Sequence, residues 1–291
     1  MRVSAAVDHQ GRGPTATTPR RARALTAWLP AQEARRLRGS DRPTQVEQMV
    51  RERLAERACE PDQTGLLEPW PSSLEPHAHA LRGASAAEAM FAEGWELGVI
   101  SDIGRVIAAQ PTVFVDPEPD PGAYAAAGDL AALAGISLPL TAPVGEIGAT
   151  FDEAQQTWII KSDSSNLRIT GRFGGEVEQD VLGFGFLASI VPSFVSVVEC
   201  GGRHILRDGY HRGCRLLAAG VVRVPAFVRH LETLDEFSFR HGMLPAEVYG
   251  GDRPPTLADY QDDLLAEDVW LPKNRRTIVI RGSELLLESE P

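Results

Sequence analysis

The spacing of apolar residues along the chain changes near residue 140, from a helical period to a strand period. Apolar side chains recur at helical spacing after Thr44, and Glu47 three positions later predicts a capping box at the start of that helix. The same period predicts helices at 84–97 and in the alanine-rich run 123–135. The first half of the chain is therefore expected to be mainly helical.

Strand patterns dominate the second half. TWIIK at 157–161 and LRITG at 167–171 flank the turn-rich SDSSN, which predicts a β-hairpin. Two further strands, Phe194–Glu199 and His204–Asp208, are separated by a Gly-Gly turn. A short helix then leads to the strand VPAFV at 224–228. This combination predicts an α+β protein with a mixed sheet.

Composition changes and breaks in periodicity predict four segments. These are a disordered basic arm at 1–42, a mainly helical N-terminal region at 43–140, a mixed-sheet core at 141–235 and a C-terminal extension at 236–291. The arm is rich in Arg, Pro, Thr and Gly and has few large apolar residues. It is expected to be solvated, with binding of a polyanion left open as the alternative.

Composition excludes several classes of protein. The chain has 291 residues, 43% of them hydrophobic, and a formal net charge of −11. Such a chain can bury a large core, and no apolar window is long enough to cross a bilayer. The start MRVSAAVDHQGRG lacks the apolar stretch of a secretory signal, so the expected compartment is the cytoplasm, with no membrane partner. The acidic body disfavours nucleic acid as a partner.

The segment 204–230 carries the clearest chemical signal. A strand runs into Asp208-Gly209, and a helix is predicted to begin near Tyr210. The first N–H groups of a helix lack internal acceptors and carry the positive end of its dipole. Gly209 lets the backbone approach a ligand closely, and the side chains that follow add donors to the same corner. The sequence therefore predicts an anion site here, the alternative being a plain Asp-Gly turn with an N-cap.

This segment, ILRDGYHRGCRLLAAGVVRVPAFV, resembles the central motif of the ParB/sulfiredoxin-like superfamily. The resemblance covers roughly a third of the chain and implies a ParB/sulfiredoxin-like mixed-sheet core that binds a nucleotide (ATP, ADP or CTP). Implied nucleotide-binding residues are Gly209, Tyr210, His211, Arg212 and Arg215. The positions that match the motif are Asp208, Gly209, His211, Arg212, Gly220, Val224, Pro225 and Val228.

Departures from the motif separate the branches of this superfamily. Sulfiredoxins place a catalytic cysteine immediately before the His-Arg pair, where this chain has Tyr210, and this disfavours reduction of a sulfinic acid. The phosphate motif and the helix-turn-helix domain of chromosome-partitioning ParB proteins are missing after Val228, which disfavours a DNA clamp. The Asp-Gly-x-His-Arg version is closest to the small-molecule branch, which includes kinases that phosphorylate free serine.

The resemblance therefore implies phosphotransfer or nucleotide hydrolysis with a small-molecule substrate. Such a reaction uses phosphate donors, Mg²⁺ and a carboxylate base. His211 and Asp208 are the candidate catalytic residues of the turn, with Asp208 also the candidate Mg²⁺ ligand. Glu176, Glu178 and Asp180 are the candidate bases, because they lie in a glycine-flanked segment ahead of the motif at 204–230.

Two other interpretations of the function stay open. A non-enzymatic, nucleotide-gated switch or interaction module is the first alternative to an enzyme, and a nuclease or DNA-associated ParB-like protein is the second. The sequence does not fix the oligomeric state, and a homodimer is kept open.

Overall fold

The structure analysed is a computed structural model, and it describes residues 19–57, 63–115, 128–236, 242–272 and 276–282. Its strands are β1 Arg20–Ala24, β2 Leu67–Pro69, β3 Glu96–Ile100, β4 Ile107–Ala108, β5 Thr112–Phe114, β6 Gly148–Asp152, β7 Thr157–Ser162, β8 Leu167–Glu178, β9 Val181–Ile190, β10 Ser196–Cys200, β11 Arg203–Asp208, β12 Val224–Leu231, β13 Glu267–Leu271 and β14 Arg276–Arg281. Its α-helices are α1 Ala31–Arg38, α2 Thr44–Glu56, α3 Glu75–Arg82, α4 Ser85–Ala92, α5 Leu130–Ser137, α6 Tyr210–Ala218 and α7 Ala246–Tyr249.

A six-stranded mixed sheet forms the centre of the molecule, in the order β2-β3-β12-β10-β11-β4. β10 and β11 pair antiparallel through the turn at Gly201 and Gly202, both with positive φ. The chain then passes through α6 and returns as β12, which pairs parallel to β10. The predicted strand–turn–helix–strand unit and the α+β class are confirmed.

Both faces of this sheet are buried. Successive residues of a strand point to opposite faces, so β10 places Val197 on one face and Val198 on the other. Val197 belongs to a cluster that includes Leu216 of α6, whereas Val198 packs in a second cluster with Phe227. A sheet buried on both faces has near-continuous apolar strands, as PSFVSVV shows. The site-bearing turn therefore lies on a rigid support.

The central sheet contains strands from both sides of the predicted boundary at residues 140 and 141. β2, β3 and β4 all come from the region 43–140, and they supply one edge of the central sheet and part of its other edge. These strands are two to five residues long and alternate with helices, so the helical period masks them. Conversely, the strands between residues 148 and 190 stand outside the central sheet, in sheets of their own.

The basic arm predicted at 1–42 is ordered from residue 19 onward, and residues 1–18 lie outside the described part of the chain. β1 is the middle strand of a second sheet, between β13 and β5. Its alanines are buried, while Arg21 and Arg23 form ion pairs with Asp268 and Asp263 at 2.6 and 2.9 Å. The N-terminal arginines therefore pair with the acidic C-terminal region, which the local composition does not show.

The predicted hairpin between TWIIK and LRITG does not form. β7, which contains TWIIK, pairs with β6 and β14, whereas β8, which contains LRITG, pairs with β9. The turn-rich residues between them instead form a crossing loop in which Ser162 Oγ donates to Glu146 O at 2.7 Å and accepts from Ser164 N at 3.1 Å. Residues that favour turns, such as these serines and Asn166, occur both in hairpins and in loops that join strands of different sheets.

Helix ends also differ from expectation. The helix predicted after Thr44 is present as α2, but Thr44 is its first residue, Pro43 occupies the cap position and no side chain caps it. Within the described residues, no helix is long and apolar enough to cross a membrane.

Leu25→Ala tests whether the N-terminal segment belongs to the core. Leu25 is completely buried in the main cluster, so its truncation is expected to lower the free energy of unfolding by about 2–5 kcal/mol. Denaturant unfolding measures this change. Met49→Ala, at an exposed position of α2, is the control and should stay within about 0.5 kcal/mol of the parent. Equal stabilities of both variants would contradict the packing of this segment.

Candidate functional site

The turn between β11 and α6 depends on a glycine. Gly209 has φ of 98° and occupies the cap position of α6. A Cβ at this position would lie 2.9 Å from Val195 Cγ2 and 3.0 Å from Val195 Cα. Only glycine fits both the conformation and the space, because the chain here packs directly against Val195. The approach of a ligand to this backbone stays a prediction.

Tyr210 fastens the first turn of α6 to the sheet. Its side chain is 2% exposed; its hydroxyl donates to Leu206 O and accepts from Ala109 N at 3.1 Å. Burial raises the pKa of Tyr210 well above its usual range, so the phenol stays protonated. Tyr210 therefore positions the helix, and only its backbone is left to contact a ligand.

A cleft of about 450 Å³ lies at the N-terminus of α6. All six residues predicted around the turn line it, and they face a serine-rich loop that follows β7. The lining residues are Arg20, Phe114, Pro143, Asp163, Ser164, Ser165, Asn166, Ser193, Asp208, Gly209, Tyr210, His211, Arg212 and Arg215. The hollow that an anion site requires is present at the predicted corner.

The lining of this cleft is cationic. It holds three arginines (Arg20, Arg212 and Arg215) and His211, against the carboxylates Asp163 and Asp208. The whole chain carries a net charge of −11, so the cleft has the opposite sign to the molecule as a whole. A concave surface of one sign focuses its field, and this field together with the helix dipole favours an anionic ligand.

The resemblance implies that the Arg212 guanidinium contacts a ligand, but in the structure this group binds two backbone carbonyl groups. Its Nη1 donates to Ser137 O at 3.1 Å and to Ser193 O at 2.9 Å, and Nη2 lies 3.4 Å from Ser193 Oγ. Ser137 is the last residue of α5, where carbonyl groups lack helical donors. Arg212 therefore holds the end of α5 and the irregular segment before β10 together, and it contributes positive charge to the cleft from that position.

The Phe114 ring contacts two side chains of the cleft lining, His211 and Arg20. The His211 ring stacks on Phe114 at 5.7 Å between centroids and 18° between planes. Arg20 Cζ lies 4.6 Å from the centroid of the same ring. Phe114 belongs to β5 and Arg20 to the neighbouring β1, so the second sheet supplies one wall of the cleft. Stacking fixes the position of both groups beside the helix N-terminus.

The structure does not bring Glu176 and Glu178 to this cleft. Both are exposed at the far end of the β8–β9 hairpin, whose tip turns at Asp180 with φ of 64°. At roughly 3.3 Å per residue, an extended β8 carries Glu176 about 30 Å from Asn166 at its base. The glycines that flank these acids belong to a long strand, not to a loop over the core. Asp163 and Asp208 are the carboxylates in the cleft lining.

Asp208 is the last residue of β11, and its Oδ1 accepts from Gly209 N at 2.7 Å. This bond stabilises the turn and directs the carboxylate toward the cleft lining. Among the described residues, no three His, Cys, Asp or Glu side chains converge as a metal site. A hard cation held by Asp208 would complete its shell with oxygens of water, backbone carbonyls or the bound ligand.

A second cleft, of about 670 Å³, adjoins the first. The two clefts share part of their lining, namely Phe114, Asn166, Ser193 and Asp208. The second cleft has a more apolar wall, which includes Met90, Phe194 and Met243, and its cations are Arg168 and Arg207. Asp208 thus stands on the wall between two adjoining hollows.

Cys214 is a packed residue of the core. It is almost completely buried in α6, and burial raises the pKa of its thiol well above its usual range. A raised pKa disfavours the thiolate, which is the reactive form of cysteine. This supports the reading that disfavours sulfinic-acid reduction.

Sequence reasoning missed Arg20, Phe114 and the loop 163–166. Arg20 lies in the segment predicted to be disordered, although the alternation of Ala22 and Ala24 with arginines is the period of a half-buried strand. Phe114 lies in a strand of three residues, whose sequence carries no sign of a ligand site. Their role depends on how the second sheet packs on α6, for which the sequence holds no local signal.

Comparison with known proteins assigns no family and no function to this chain. No protein-family model matches the chain, and neither a curated protein nor a solved structure shows a significant match. The residues described above define an α+β protein with a cationic cleft at a helix N-terminus.

Gly209→Ala tests the glycine at the turn. The added methyl group meets Val195 and forces a positive φ on alanine, so the free energy of unfolding is expected to fall by about 3 kcal/mol. Gly220→Ala is the matched control, because Gly220 has φ of 78° with open space around it. It should cost about 1 kcal/mol, the conformational part alone. Equal losses in thermal unfolding would show that the contact with Val195 is unimportant.

Proposed function

We propose that this protein binds a nucleotide through its phosphates in the cleft at the N-terminus of α6, and that its central unit has a ParB/sulfiredoxin-like fold. The observation that carries the proposal is the cationic lining of that cleft, with the glycine turn, the helix N-terminus, His211 and Arg215 on one side. The order β10, β11, α6 and parallel β12 supports the fold.

Each group has a defined part in holding phosphate. The backbone at Gly209 has no side chain and can lie close to a phosphate group. The N-terminus of α6 directs the positive end of the helix dipole at that phosphate. Arg215 and Arg20 contribute guanidinium groups, which bind phosphate oxygens in two-pronged fashion. His211, held by Phe114, binds or protonates a phosphate oxygen. Arg212 acts through its charge while it fixes the cleft wall.

The favoured activity is phosphoryl transfer to a small molecule or hydrolysis of the nucleotide. A hydroxyl acceptor, or water, placed in the adjoining cleft would meet the phosphate at the wall where Asp208 stands. The Asp208 carboxylate would take the proton as the hydroxyl oxygen attacks the terminal phosphorus. The bond from that phosphorus to the bridging oxygen would break, and the nucleotide shortened by one phosphate would leave. The alternative part for Asp208 is to hold Mg²⁺, which would neutralise negative charge on the phosphates.

A nucleotide-gated switch is the second candidate, and one observation favours it. Among the described residues, Asp163 and Asp208 are the carboxylates of the cleft lining, and Asp208 already accepts a hydrogen bond from Gly209. A site with few acid–base groups binds phosphate more readily than it cleaves it. Binding of a nucleotide without turnover would identify the switch.

Calorimetric titration of ATP, ADP and CTP with Mg²⁺ tests the proposal. The wild-type chain should bind at least one of them, and Arg215→Ala should weaken binding by about tenfold or more, as loss of a charged hydrogen bond predicts. His211→Ala should weaken it as well. Arg82→Ala, an exposed arginine paired with Glu75, is the matched control and should bind as the wild type does.

The same titration can also contradict the proposed function or the proposed site. If the wild-type chain binds no nucleotide, the proposed function is wrong. If Arg215→Ala and Arg82→Ala bind equally well, the phosphate site lies elsewhere. Release of phosphate or transfer to a hydroxyl compound separates the enzyme from the switch.

A further inference from the structure

The β8–β9 hairpin is a long two-stranded ribbon. β8 and β9 pair antiparallel from Leu167 opposite Ile190 to Glu178 opposite Val181, and among the described strands they pair only with each other. An isolated two-stranded ribbon is marginally stable in water, so one of this length is expected to pack against something. The described residues leave it exposed over most of its length.

Cross-strand pairing sorts the side chains of the ribbon into two faces. Opposed residues share a face, so Arg172 with Phe186, Gly174 with Phe184, and Glu176 with Leu182 form three successive rows on one face. We call this the ribbon face. On the opposite face, Phe173 lies across Gly185 and Val177 lies against Gly183. The glycines of β9 are covered there by the ribbon's own side chains.

The two most exposed large apolar side chains of the hairpin, Leu182 and Phe184, both lie on the ribbon face, and Phe186 lies beside them. Leu182 is 79% exposed, Phe184 83% and Phe186 43%. Together with the stems of the flanking charged residues, this is an apolar area on the order of 500 Å². A patch of that size is at the upper end for a monomer. Two such faces would bury roughly 1,000 Å² in all, the lower limit for a specific interface.

The pattern of charge on this face is complementary to itself. A two-fold axis through the central row, perpendicular to the strands, places β8 antiparallel over β8 of a second copy. Arg172 then faces Glu176 of the other copy, and the same contact recurs on the other side of the axis. Phe186 faces Leu182, Phe184 faces Phe184, and Gly174 at the centre adds no side chain to obstruct the contact. Isologous interfaces have this reciprocity.

We propose that the ribbon face is a dimer interface and that its occupant is a second copy of this chain. The two ribbons stack face to face about that axis, as sheets do in a sandwich, at a separation of about 10 Å. Apolar contact along β9 supplies the attraction, and the paired charges along β8 fix the register. An interface of this limited area belongs to the weak, transient class.

Sedimentation equilibrium of the full chain from about 1 to 100 µM tests this interface. The wild-type chain should show a monomer–dimer equilibrium, and Phe184→Ser should raise the dissociation constant by about tenfold or more. Val177→Ser, an exposed residue on the opposite face, is the matched control and should leave it unchanged. Circular dichroism and melting of the dilute variants check that each remains folded.

A charge exchange tests the register. Arg172→Glu and Glu176→Arg should each weaken the dimer by about tenfold, because both symmetry-related contacts then bring like charges together. The double variant R172E/E176R restores opposite charges and should return the dissociation constant to within about threefold of the wild type. A chain that is monomeric throughout, a dimer indifferent to Phe184→Ser, or a double variant without rescue would each overturn the proposal. None of these measurements depends on nucleotide binding.

Discussion

The structure around the cleft depends on one steric constraint, the contact between the backbone at Gly209 and Val195. The chain leaves β11 with a positive φ in a space that has no room for a Cβ, because Val195 lies directly against it. This contact fixes where α6 begins, so that the N-terminus of the helix lies at the cleft. Tyr210, hydrogen-bonded to Leu206 and Ala109, then holds the helix at that angle. The position of the helix dipole is therefore set by packing and not by the ligand.

Positive charge in this protein serves both structure and the site. Arg21 and Arg23 join the N-terminal strand to acidic residues far along the chain, and Arg212 holds the carbonyl groups of Ser137 and Ser193. Such bonds fix the walls of the cleft while they leave its field positive. Preorganised charge of this kind binds an anion without a large reorganisation cost. The arrangement explains how an acidic protein can maintain a cationic hollow.

The two proposals concern separate parts of the molecule. The cleft lies where the central sheet, the sheet of β1, β5 and β13, and the loop 163–166 meet. The ribbon face lies at the other end of β8, beyond the base of the hairpin at Leu167. Glu176 illustrates the separation: expected beside the phosphate site, it lies far along the ribbon, where its charge is suited to contact Arg172 of a second copy.

Sequence alone determined the unit from Phe194 to Val228, because its signals are local. Strand runs, a Gly-Gly turn, the Asp-Gly corner and a glycine after the helix all act within a few residues of each other. They suffice to predict the strand–turn–helix–strand order and the residues His211, Arg212 and Arg215 at one corner of a cleft.

Only the tertiary structure decided which distant segments complete that corner. Arg20 and Phe114 reach it because β1 inserts between β5 and β13, and Glu176 is excluded because β8 pairs with β9 instead of turning back. Strand pairing between distant segments is selected by the burial of whole faces and by ion pairs such as Arg23 with Asp263, and short windows of sequence do not contain that information.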